Sequence, residues 1–146
     1  MDNNFKKYLI KEVVKENILL EQKTKTNDFV ELISLLLHSR TQAHTLHLQT
    51  KSFAEHKALN DYYDGIVGLI DGLVESYQGK YSILKGYKSY DIENYKDISS
   101  TINYLKDLCH KVEELRDCCK ETYIQNQIDE VCELINSTLY KLRFLK

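Results

Sequence analysis

Apolar residues recur along this chain at steps of three and four, the spacing of one helix face. From Asp28 onward Phe29, Leu32, Ile33, Leu36 and Leu37 predict a helix running to about Gln49. A second stripe, Leu59, Tyr62, Tyr63, Ile66, Ile70, Leu73 and Tyr77, predicts a helix ending near Gly79, a residue type common at helix C-caps. Gly65, Gly68 and Gly72 lie inside that stripe and suggest close approach of a neighbouring helix, or loose packing. The pattern fails from Lys80 to Asn94, an irregular or partly helical connector. It resumes with Ile98, Ile102, Leu105, Leu108, Val112, Leu115 and Cys119, then with Ile124, Ile128, Val131, Ile135, Leu139 and Leu142.

Start signals support these boundaries. Ser52-Phe53-Ala54-Glu55 and Thr122-Tyr123-Ile124-Gln125 read as capping boxes, and Asp28 is followed by Glu31. The break between the last two stripes rests on Thr122, so one continuous helix through 118–124 is the alternative. Ahead of these, residues 5–22 place Phe5, Leu9, Val13, Ile18, Leu19 and Leu20 among lysines and glutamates, a short amphipathic helix or an arm that orders on a partner. The chain therefore divides into an N-terminal helix or arm (1–25) and an all-α four-helix bundle (26–146). A bundle with a single long crossover has the ferritin-like connection.

Composition narrows the picture. At 146 residues the chain makes one domain, and 42% hydrophobic with 29% charged residues is the balance of a soluble globular protein. No proline and only five glycines argue against all-β or βαβ architectures, which need many turns. A net charge of −2 excludes a general polyanion binder. With no long apolar run and no apolar leader after Met1, a cytoplasmic protein is expected. The richness in Asn, Lys, Ile and Tyr suits a bacterial or phage gene of high A+T content.

The chemistry-bearing residues gather at one place. Of five histidines, His44, His47 and His56 fall at the end of the first bundle helix and the start of the second, whereas His38 and His110 have no partner pattern. On the second helix His56, Asn60, Asp71 and Glu75 share a sector of about 100° on the flank of the apolar stripe. Fifteen residues separate His56 from Asp71, roughly 22 Å of helix, so one chain cannot close both ends on one ion. Two antiparallel copies about a two-fold axis bring the histidines of one to the carboxylates of the other. Imidazole with carboxylate is a ligand set for iron, zinc or copper. The cysteines, 109, 118, 119 and 132, form no CxxC pair and read as reduced thiols within helices, without the close spacing of a zinc site.

These residues resemble a known family. His44-Thr45-Leu46-His47-Leu48-Gln49, Phe53-Ala54-Glu55-His56, Tyr63-Asp64, Asp71 and Glu75 are similar to the motifs of the Dps (DNA-starvation, mini-ferritin) branch of the ferritin-like superfamily, H-x-x-H-W-N, F-x-x-H and D-x-x-x-E. The resemblance implies a bundle paired about a two-fold axis, often within a hollow dodecamer. A ferroxidase site at the pair interface would hold iron with His47 and His56 from one chain and Asp71 and Glu75 from its mate. A gapless alignment selects His44 instead of His47. Asn60 stands where the family has a carboxylate, so the second reading is a non-catalytic structural or interaction protein on a scaffold that has lost its iron chemistry.

Two surfaces bear on partners. Lys6, Lys7, Lys11, Lys15, Lys23 and Lys25 in the arm resemble the basic tails with which Dps-like proteins bind DNA, but Glu12, Glu16 and Glu21 interleave them, which favours a solvated face. Tyr81, Tyr87, Tyr90 and Tyr95 make the connector a second surface for a protein partner.

Overall fold

The computed structural model describes residues 3–145. The described residues form four long helices and no strand: α1 (Asn3–Gln49), α2 (Phe53–Lys80), α3 (Ile98–Leu115) and α4 (Thr122–Phe144), with a 3-10 turn at Arg116–Cys118. Met1 and Asp2, at the head of the predicted arm, lie outside the described residues, as does Lys146. No described helix is long and apolar enough to cross a membrane.

The arm and the first bundle helix are one element. The start predicted at Asp28 does not exist, because nothing upstream stops the helix. Thr24 and Thr26 return their hydroxyls to the carbonyls of Leu20 and Gln22, and Glu21 pairs with Lys25 one turn on (3.1 Å). The resulting helix of 47 residues spans roughly 70 Å. Burial begins only near its middle: Phe29, Leu32, Ile33 and Leu36 are fully buried, while Phe5, Tyr8, Ile10, Val13, Leu19 and Leu20 are exposed.

Cross-helix contacts give the topology. Glu31 meets Lys111 (3.7 Å) and His38 meets Tyr104 (3.2 Å), so α1 and α3 run antiparallel. Asp61 meets Lys141 (2.9 Å) and Gly72 meets Gln127 (3.4 Å), so α2 and α4 do likewise. Arg116 clamps Asp129 through two bonds (2.6 and 2.8 Å) where α3 turns back into α4. With α1 also packed on α2, the helices form a ring in the order α1, α2, α4, α3. The glycine expectation holds at Gly65, where a Cβ would lie 3.4 Å from Leu134, but Gly68 faces open space.

The helix ends differ in detail from the sequence expectations. Ser52 caps α2 by accepting from the Glu55 N–H, but the Glu55 carboxylate turns inward to Thr50 (2.6 Å) and Tyr95 (3.0 Å), leaving the box half formed. Two helices, not one, occupy the region around 118–124. α3 stops at Leu115, and Cys119 is extended backbone beyond it. Thr122 is no cap: Glu121 holds that position without a side-chain bond, and Gln125 instead donates to the Cys119 carbonyl (2.8 Å). α2 continues through Gly79 to Lys80, and its C-cap Tyr81 returns its N–H to Tyr77 (2.8 Å). Asp97 caps α3 through the Ser100 N–H (2.7 Å), a start that the capping-box pattern does not mark.

The connector is irregular, as its broken periodicity implies, yet tightly held. Buried or crowded backbone polar groups need partners, and α1 supplies them at turn-by-turn spacing. Ser34 accepts from the Lys88 N–H (2.9 Å), His38 donates to the Asp91 carbonyl (3.0 Å), and Gln49 accepts from the Tyr95 N–H (2.6 Å). Gln42 makes both a donor and an acceptor bond with the Glu93 backbone (2.8 Å each). His38 is thus a structural histidine, bonded to the connector and to Tyr104. Because the amide of Gln42 satisfies two backbone groups at once, Gln42→Ala is expected to cost about 1–3 kcal/mol in urea unfolding. It should also expose the connector to proteolysis.

Inside the ring, Tyr62 is fully buried and donates to Ser39 (2.7 Å), which donates to the Leu36 carbonyl (2.7 Å). Desolvation pushes the phenols of Tyr62 and Tyr104 above their ordinary range. A folded value raised above the unfolded one near pH 10 means stability is whole below that pH and falls above it. Melting temperature should thus decline above about pH 10, and Tyr62→Phe should flatten that decline.

Candidate metal centre

The end of α1 and the start of α2 are joined by three residues, so the helices fold back with their histidines facing. His47 is buried and its ring stacks on that of His56, centroids 3.6 Å apart. Each ring is held by the other's backbone: His47 Nδ1 lies 2.8 Å from the His56 carbonyl, and His56 Nδ1 lies 2.9 Å from the His47 carbonyl. A carbonyl only accepts, so both Nδ1 atoms carry the proton, and in the neutral ring each Nε2 keeps its lone pair. Neither Nε2 takes a hydrogen bond among the described residues. Anchoring one ring nitrogen on a carbonyl while the other is left for an ion is how metal-binding histidines are commonly oriented.

His44 stands one turn away, stacked on Tyr63 (4.2 Å) and edge-on to His47 (5.8 Å). Of the two alternatives, His47 is the one the structure brings against His56. Asn60 is engaged elsewhere, accepting from the Tyr63 hydroxyl (2.9 Å) and donating to Asp64 (3.0 Å). Asp61 is paired with Lys141, whose hydrogen bond, and then its charge, hold the carboxyl below the usual range. Asp71 and Glu75 are exposed farther along α2, and within one chain they do not join the histidines. His47 and His56 are thus neighbours within one chain, and Asp71 and Glu75 are exposed apart from them.

A second group escaped the sequence reading. Cys109 and Glu113, one turn apart on α3, meet Cys132 of α4, with ligand atoms all within 4.8 Å of one another, a group able to hold a metal ion. The signal was present only as the Cys109/Glu113 step; the cross-helix register that adds Cys132 is not written locally. Burial raises the Cys109 thiol, and Cys132 is pushed up to about 12 by burial and then by the neighbouring Cys109 and Glu113. Near neutrality both are protonated and weakly nucleophilic. Cys118 and Cys119 sit side by side in the turn before α4 (3.8 Å between sulfurs) and are free.

The connector tyrosines mostly have internal roles. Tyr95 binds Glu55, Tyr81 donates to Glu121 (2.5 Å), and Tyr90 packs edge-on against His38. Tyr87 is exposed.

Fold and side chains together define an all-α, four-helix protein with a histidine cluster at one end. A family model described as a family of unknown function (DUF5856) matches residues 47–142, more than half of the chain, and the protein belongs to that family. The matched span begins at His47 and takes in His56, Asp71, Glu75 and the Cys109 group, leaving out the arm. No curated protein and no solved structure matches the chain.

Proposed function

We propose that the protein is a Dps-like metal-binding bundle of the ferritin-like type, working as a homo-oligomer that takes up iron at sites shared between subunits. The observation that carries this reading is the reciprocal anchoring of His47 and His56. It holds two rings through Nδ1 and leaves each Nε2 without a hydrogen bond among the described residues, free to take a ligand. The helix order α1, α2, α4, α3 with one long crossover between α2 and α3 supports it, since that is the ferritin-like connection. The donor chemistry fits: two imidazoles from one chain and the exposed Asp71 and Glu75 of a second copy make a nitrogen and oxygen set suited to Fe(II), and also to zinc. In this reading Fe(II) is substrate, sequestered and oxidised with dioxygen or peroxide as oxidant.

Anaerobic calorimetry with Fe(II) tests it, comparing the wild type with His56→Ala/Glu75→Ala. Binding by the wild type that disappears in the variant supports the proposal; an inert wild type ends it.

A second reading rests on the arm. Its exposed apolar residues, from Phe5 to Leu20, surround the helix rather than forming one stripe, and such a helix is normally covered on several sides. A protein that binds no Fe(II) yet associates through this segment would be a structural or interaction protein on the same bundle.

A further inference from the structure

We propose that Cys109, Glu113 and Cys132 form a second metal site, separate from the histidine cluster, that takes a thiophilic divalent cation of the zinc class. Two sulfurs and one carboxylate oxygen are a zinc donor set, and tetrahedral zinc with bonds of about 2.0–2.3 Å places its ligand atoms roughly 3.5–3.8 Å apart. Cys109 Sγ already lies 4.0 Å from Glu113 Oε1, and all three ligand atoms fall within 4.8 Å. Closing to bonding distance needs a few tenths of an ångström for Cys109 and Glu113 and at most about 1 Å for the other pairs, within the reach of side-chain rotation.

The surroundings fit a bound thiolate. Asn136, one turn after Cys132 on α4, directs its amide Nδ2 at Cys109 Sγ (3.7 Å), a donor that would stabilise sulfur carrying negative charge. The Arg116–Asp129 clamp crosses the same α3–α4 seam close by and fixes the register that brings the two cysteines together. Cys132 is half-buried and Glu113 exposed, so a cation can enter from solvent and water can fill a fourth position. Each thiol gives up its proton to solvent as its sulfur bonds the cation.

Co(II) is the probe, added to the full chain under reducing conditions, because thiolate ligation produces a near-ultraviolet charge-transfer band that imidazole and carboxylate do not. Zn(II) should then displace it. We expect the wild type and His56→Ala to show the band. Cys132→Ser should lose it, with Zn(II) affinity against a chromogenic chelator lower by more than about 100-fold, and Glu113→Gln should weaken binding by about tenfold or more. The half-buried Cys132 and exposed Glu113 make these variants compatible with folding, which circular dichroism verifies. A wild type without the band overturns the proposal. So does a band that survives undiminished in Cys132→Ser, because its thiolate ligands would then not include Cys132.

Discussion

The His47→Ala/His56→Ala chain is expected to bind Fe(II) at least about 100-fold more weakly than the wild type, with helicity unchanged. Loss of an outer hydrogen-bond partner alone costs a metal site 10–100-fold, and this variant removes two ligands outright. Each imidazole is anchored through Nδ1 by its partner's backbone carbonyl, which leaves both Nε2 atoms without a hydrogen bond among the described residues. His47→Ala alone should lose less, because His44 stands 5.8 Å from His47 as the nearest substitute. Asp71→Asn/Glu75→Gln should weaken binding similarly despite roughly 22 Å of intervening helix if, as proposed, these carboxylates complete the site of a second copy. Calorimetry on the three variants checks all of this.

Phe29→Ala is expected to destabilise the fold by about 3–5 kcal/mol, the range for removing a large buried aromatic. Phe29 is fully buried where α1 enters the bundle, and its ring stacks on Tyr77 at 4.0 Å. Tyr77 in turn meets the Thr26 hydroxyl (3.1 Å) and the Tyr81 ring (4.8 Å), so the cavity would open at the junction of α1, the end of α2 and the start of the connector. Thermal unfolding should shift down by about 6–20 °C. Ring stacking and cavity formation both act there, so Phe29→Leu should restore part of the loss.

The bundle was legible because its four stripes are written at helical spacing and most of each is buried, Phe29 to Leu36, Leu59 to Tyr77, Leu105 to Val112 and Ile124 to Leu142, although Leu37 and Ile98, read on the same stripes, are exposed. What failed were local stop and start signals that tertiary context did not use. Asn27-Asp28 resembles a helix start, yet the helix runs through it: Thr24 and Thr26 turn their hydroxyls onto carbonyls of the same helix, and Glu21 pairs with Lys25 across one continuous turn. Thr122 resembles a cap, yet Gln125 finds a carbonyl in the preceding turn. The three histidines could be grouped from sequence because they flank one short loop. The Cys109–Cys132 contact joins residues on two helices, and its register depends on packing that no local pattern encodes. The path of the connector was hidden for the same reason, since its partners Ser34, His38, Gln42 and Gln49 lie on α1, about fifty residues away.

A site shared between two copies of the chain is tested most directly by mixing two inactive variants. His47→Ala/His56→Ala supplies intact carboxylates, and Asp71→Asn/Glu75→Gln supplies intact histidines. Neither alone should bind Fe(II) tightly. After the two are unfolded and refolded together, each mixed pair should regain one complete site, restoring tight binding to about a quarter of the wild-type capacity at equal proportions and random pairing. Mixtures that stay as inert as their components would contradict a shared site.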